Sequence, residues 1–357
     1  MVEIEAKITG LEYKILFKPT LKEVSFENLD VNEMPSCCFL KEKKLAVSKW
    51  VSPKRTRSYP FERIYNTLSF SKKITIIPVV KDEGKNGDRD FIQWDTISLM
   101  SLLDVYVILA YYSEAEKNPN RENKITNQKF DNDFILAKIE EIENYHSSAL
   151  HWNIKEVEQL ESVLSKATDS YAKIQNELGV ELHSEKGLEN FKQKLDSNLK
   201  NFIAFSREKA QSAQEREVQT IQPKELLGNF PKAKITITNF LGGKYFLTVD
   251  EVIILENEII LMESKHTKSN LLPSLRDIKD GLIKMILYSN FKSVSLNGKK
   301  FKVSLVLKLT SQKENFSYNS QKNDFMNFNK MQSELLLKLF KEAQTNGFVV
   351  ELEGKKK

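Results

Sequence analysis

Between residues 233 and 310 the spacing of apolar residues changes from two, to three and four, and back to two. That switch constrains the chain more than any other feature. The stretches 233–240 (AKITITNF), 244–255 (KYFLTVDEVIIL) and 259–267 (IILMESKHT) have strand length and strand composition. Gly242-Gly243 and the turn Glu256-Asn257-Glu258 separate them, which predicts a three-strand meander. Ser274 then offers a helix cap with Asp277 three residues on, and Leu275, Ile278, Leu282, Met285 and Ile286 make an apolar helical face. A strand over 299–310 and a helix from about 324 to 344 complete the order β-β-β-α-β-α. The pattern predicts an α/β fold in which a central mixed sheet is flanked by helices.

Within the meander, Asp250 lies on the second strand and Glu263 and Lys265 on the third. Side chains two apart on a strand share a face, so Glu263 and Lys265 point the same way while Ser264 points back. A tight hairpin at Glu256-Asn257-Glu258 returns Asp250 to a place nearly opposite Glu263. Two carboxylates converging beside an ammonium suit a hard divalent cation. Asp250, Glu263 and the backbone carbonyl of Ser264 are the expected ligands of Mg²⁺, with water completing its octahedron. Such a cation lowers the pKa of a bound water and neutralises a phosphate, and Lys265 orients or deprotonates the attacking water and stabilises the transition state. The acid-x-Lys triplet itself carries little weight, since Glu5/Lys7, Glu42/Lys44, Glu83/Lys85 and Asp277/Lys279 match it too. Context singles out Glu263/Lys265: an apolar strand before it, an acid on the hairpin partner and a capped helix after it.

Asp250, twelve residues, then Glu263-Ser264-Lys265 on this arrangement of elements resembles the PD-(D/E)XK nuclease superfamily, and the chain is similar in size and layout to type II restriction endonucleases. The resemblance covers about residues 222–345 and departs from the motif's name at Val249, where Pro is expected. It implies a restriction-endonuclease-like core, metal-binding Asp250 and Glu263, a catalytic Lys265, and Mg²⁺-dependent hydrolysis of double-stranded DNA. It also implies a homodimer as the simplest way to cut two strands, and a cognate DNA methyltransferase as system partner. Glu251 replaces Asp250 if the strand register slips by one. A repair or recombination nuclease of the same fold and a non-catalytic DNA-binding protein are the alternatives.

The rest of the chain frames this core. Its 357 residues suggest two or three domains: an N-terminal α/β region over 1–120, a helical region over 121–221 and the nuclease core over 222–357. Residues 222–357 carry 22 lysines and arginines against 14 acids, a surplus of +8 within a total of +5, which suits a polyanion partner. Residues 48–67 interleave basic Lys49, Lys54, Arg55, Arg57 and Arg63 with aromatic Trp50, Tyr59, Phe61 and Tyr65, as a DNA-contacting arm or as a loop held down by its aromatics. Lys268, just past the third strand, is a further candidate DNA contact. A buried strand is expected over 74–80, a solvated acidic loop over 81–90, and a buried helix from about 95 to 112. Apolar residues from Val157 to Leu178 and from Leu188 to Phe202 predict a helical hairpin. His146, His151 and His183 lack metal-ligand spacing, and adjacent Cys37 and Cys38 exclude a disulfide framework. No apolar run reaches bilayer length, which gives a cytoplasmic chain with no membrane partner as the expectation.

Overall fold

A computed structural model describes residues 2–18, 20–53, 60–196, 202–204, 206, 232–313, 316–319 and 327–354. The chain forms two compact units. One comprises residues 1–20, 56–69 and 210–357, the other residues 21–55 and 70–209. This differs from a contiguous three-part division because the first strand, Val2–Ile8, pairs in parallel with Ala233–Asn239.

In the first unit the described elements are β1 (Val2–Ile8), α1 (Phe61–Thr67), β2 (Ala233–Asn239), β3 (Lys244–Val249), β4 (Glu251–Ile254), β5 (Glu258–Thr267), α2 (Leu275–Ser289), β6 (Ser293–Leu296), β7 (Lys299–Ser311), β8 (Ser317–Asn319), α3 (Lys330–Asn346) and β9 (Val349–Glu353). Nine strands make one mixed sheet in the order β3-β2-β1-β6-β7-β5-β4, with β9 beside β7 and β8 beside β9. The alternation in β2 buries Ala233, Ile235, Ile237 and Asn239 and turns Lys234, Thr236 and Thr238 outward. Asn239 ties the β2–β3 turn by accepting the Gly243 amide at 2.7 Å, and Gly242 takes the positive φ of 77° that the turn requires. β5 and β7 run parallel over ten residue pairs with α2 between them in sequence, and β7 and β9 run parallel with α3 between them. Two β-α-β crossings therefore build this side of the sheet.

The predicted second strand is broken at Asp250. Its first part, β3, pairs with β2, whereas its second part, β4, pairs with β5, so no three-strand meander forms. β3 and β4 occupy opposite ends of the sheet order yet are separated in sequence by one residue. The sheet therefore curls until its two ends meet at Asp250.

Buried contacts hold α1 and α3 in this unit. Glu342 of α3, fully buried, accepts hydrogen bonds from the Leu16 and Phe17 amides at 2.8 and 2.5 Å and from the Tyr65 hydroxyl at 2.7 Å. Lys279 of α2 donates to Asn66 Oδ1 at 2.7 Å.

The second unit is built on a five-stranded sheet, ordered Lys22–Val24, Cys37–Leu40, Leu45–Lys49, Lys73–Pro78 and Tyr106–Ala110, the last three mutually parallel. The helix expected over 95–112 ends at Leu102. Asp104 turns the chain at φ 55°, and Tyr106–Ala110 enters the sheet fully apolar and buried. A strand covered on both faces has no alternation to distinguish it from a buried helix. The acidic segment after Lys73–Pro78 is a hairpin, Val80–Asp82 with Arg89–Phe91, and Asp82 is buried rather than solvated. Its Oδ1 accepts the Gly84 amide at 2.8 Å and meets His183 Nδ1 at 2.7 Å, which makes His183 a structural partner. The predicted helical hairpin is present as Leu160–Leu178 and Glu185–Asp196, with Gly179 at φ 57° ending the first helix; residues before Gln159 belong to a separate helix, Ala149–Glu158. Among the described residues no helix is long and apolar enough to cross a membrane.

Candidate active site

Glu263 and Lys265 stand on the face of β5 that α2 covers, and Lys265 Nζ lies 3.0 Å from Glu263 Oε1. The β4–β5 hairpin pairs Glu251 with Met262 and Ile254 with Ile259, so Asp250 lies one step beyond the last pair, at the level of Glu263. Its Oδ2 accepts the Ser264 amide at 2.9 Å. Glu263 and Lys265 are thus in contact, and Asp250 is tied to the backbone of the residue between them.

The structure adds two residues that the motif reading missed, both from α2. Asp280 Oδ2 accepts from Lys265 Nζ at 2.7 Å. Lys284 Nζ lies 2.9 Å from both oxygens of Glu263 and 3.4 Å from the Thr248 carbonyl. Gly281, between them in the helix, makes the approach feasible. A Cβ there would stand 2.7 Å from Leu307 Cδ1 and 3.3 Å from Lys265 Cε, so the missing side chain leaves room for the lysine stem. A glycine inside an otherwise good helix was the signal in the sequence, because it marks a close approach at the cost of helix propensity.

Burial makes these charges interdependent. Glu263 is 1% exposed and Lys265 and Lys284 13% and 14%. Burial works against charge on Lys265, but Glu263 and Asp280 outweigh it and its pKa is pushed up to about 12. Burial likewise opposes charge on Lys284, and Glu263, Tyr288, Asp250 and Asp280 together hold its ammonium well above the ordinary range.

Glu251 is directed elsewhere. It accepts the Ser264 hydroxyl at 3.1 Å and lies 3.9 Å from Lys308, which itself contacts Glu353 at 3.1 Å. The geometry thus groups Asp250, rather than Glu251, with Glu263 and Lys265.

Among the described residues no three His, Cys, Asp or Glu side chains gather as a metal-binding group. The donor chemistry still suits a hard cation. Asp250, Glu263 and Asp280 supply three negative charges against two from Lys265 and Lys284. One cation, the Lys284 ammonium, already sits among three oxygens, two of them from Glu263. Mg²⁺ is commonly held by only one or two carboxylates with water filling the remaining positions.

Lys54, Arg55, Arg57 and Tyr59 lie outside the described residues. Arg63 is half-buried on α1, and Lys268 is exposed just beyond β5. Trp50, Phe61 and Tyr65 are buried at 1%, 3% and 0% exposure, so these aromatics are core residues and not stacking platforms for bases. Lys49 donates to the carbonyls of Val31 and Asn32 at 2.7 and 2.6 Å. Comparison of the chain with protein-family models, with curated proteins and with solved structures finds no match.

Proposed function

We propose that the first unit is a Mg²⁺-dependent endonuclease that hydrolyses phosphodiester bonds of double-stranded DNA, of the restriction-endonuclease-like type and most simply a type II site-specific enzyme. One observation carries this reading: Glu263 and Lys265 are in contact on β5, Asp250 accepts the Ser264 amide between them from the break before β4, and a helix behind them leads to a parallel strand. Asp250, Glu263 and the Ser264 carbonyl would hold the cation, which when bound would supply Lewis-acid polarisation and a bound water of lowered pKa. Lys265 acts as an ammonium fixed between Glu263 and Asp280, facing charge that develops on the phosphoryl oxygens. Asp280 positions Lys265, since an ammonium held from two sides cannot swing away. Two copies of the chain cut the two strands, and a DNA methyltransferase of matching specificity protects the host's own sites.

Incubation of plasmid DNA with and without Mg²⁺ tests the reading. Discrete, Mg²⁺-dependent fragments that vanish in Glu263→Ala are the expected result. Smears or a preference for branched DNA indicate a repair or recombination nuclease instead, and absence of cleavage at saturating Mg²⁺ overturns the enzymatic reading in favour of a DNA-binding protein.

A further inference from the structure

Lys284 has three ammonium protons and three oxygen partners, two on Glu263 and one on Thr248. Glu263 offers only two carboxylate oxygens, and Lys284 engages both. Lys265 is placed differently, touching one Glu263 oxygen at 3.0 Å and being held from the other side by Asp280 at 2.7 Å. A divalent ion bound on Glu263 with Lys284 still in place would set two cations against each other within a few ångströms of low-dielectric interior. The formal charge of Asp250, Glu263, Asp280, Lys265 and Lys284 together would pass from −1 to +1.

Resting on the metal-site reading above, we propose that Lys284 is a resident cation that competes with Mg²⁺ for Glu263. The metal enters only by displacing the Lys284 ammonium, and the exchange between the two sets the site's affinity for divalent ions. Without metal, Lys284 keeps Glu263 neutralised and the buried strand end folded. With metal, the released ammonium lies beside the phosphate that the metal recruits. The site thus contains its own threshold for divalent ion, built from a residue of α2 that lies outside the acid-x-Lys motif.

Mn²⁺ binding to the full chain without DNA, followed by electron paramagnetic resonance, separates competition from a plain ion pair. Lys284→Gln should bind Mn²⁺ at least tenfold more tightly than the unmodified chain, and Asp250→Asn should lose the binding. Lys284→Gln leaves Glu263 short of a partner, so its melting temperature should also rise more on addition of Mn²⁺ than that of the unmodified chain. Should Lys284→Gln fail to fold, Lys284→Arg retains a cation that spans both Glu263 oxygens and should weaken Mn²⁺ binding at least threefold; equal or tighter binding would overturn the proposal. Lys284→Gln with unchanged or weaker affinity also overturns it, while Mn²⁺ binding abolished by Asp250→Asn leaves the metal site standing. If neither the unmodified chain nor Lys284→Gln binds Mn²⁺ at millimolar concentration, the metal-site reading itself fails and the competition with it.

Discussion

Lys265 and Glu342 are both buried and charged by nature, and their surroundings assign them opposite behaviour. Lys265 is fixed between two carboxylates, and its proposed task is to meet charge that appears only in the transition state. Lys265→Ala should therefore leave DNA affinity within a few-fold while lowering the single-turnover cleavage rate by on the order of 100-fold or more. Full cleavage by this variant at saturating Mg²⁺ would remove Lys265 from the mechanism. Among the described residues Glu342 is met by hydrogen-bond donors, the Leu16 and Phe17 amides and the Tyr65 hydroxyl, and by no ion pair. Burial raises its pKa above 4.5, and the Phe17 amide, Tyr65 hydroxyl and Leu16 amide offset that only in part. The folded chain thus keeps this proton at a pH where the unfolded chain has released it. The stability contributed by the protonated group is complete below about pH 4.3, the ordinary glutamate range, and is lost as pH rises through the raised folded value. Glu342→Gln keeps the acceptor and cannot ionise, so its urea-unfolding free energy should fall less than that of the unmodified chain as pH rises across this window. Parallel curves for the two proteins would show that Glu342 ionises normally in the fold.

At the scale of elements, α2 determines what the site contains. Its start was legible in the sequence because capping is local: Ser274 accepts the Asp277 amide at 3.2 Å, as the spacing predicts. The β4–β5 hairpin was legible for the same reason, since a turn and a count of residues place Asp250 level with Glu263. Lys284 and Asp280 were not legible individually: Gly281 marks a close approach of the helix but not which side chains share it. Nothing local distinguishes Lys284 among 54 lysines and arginines, and its meaning depends on how a helix lies across a strand twenty residues away. Trp50, Phe61 and Tyr65 show the converse, because an aromatic between basic residues suits a core as well as it suits a base. Gly281 gives the crossing a measurable consequence. In Gly281→Ala the new methyl must displace the end of Leu307 and press on the Lys265 stem, while the helix gains propensity. We expect a net loss of about 1 kcal/mol in urea unfolding, with overpacking of about 1–3 kcal/mol partly offset by the propensity gain. The cleavage rate at full folding should fall at least tenfold, because Lys265 is moved. Unchanged stability together with unchanged rate would mean that α2 stands further from β5 than described.

At the scale of the whole molecule, the unit that carries the site is assembled from three separate stretches of chain. β1 lies inside the sheet between β2 and β6, with Ile4, Ala6 and Ile8 at 1%, 2% and 1% exposure. A fragment of residues 222–357 therefore lacks a central strand, even though it contains every residue of the motif. Circular dichroism should find that fragment largely unfolded, and Ile4→Asp in the full chain should destabilise by about 3 kcal/mol or more, as expected for an unpaired charge at a fully buried position. A cooperatively folded fragment would mean that β1 is dispensable.

The pairing of Val2–Ile8 with Ala233–Asn239 also sets an order in time. About 225 residues must be synthesised after β1 before its parallel partner exists. At about 5 to 20 residues per second, that delay is roughly 10 to 45 seconds. During it the apolar face of β1 leaves the ribosome with neither neighbour made, while the second unit, encoded almost wholly in between, has time to fold. β1 is thus made long before it is seated, and a nascent chain stalled before residue 233 would present that strand to chaperones or to other unpaired edges.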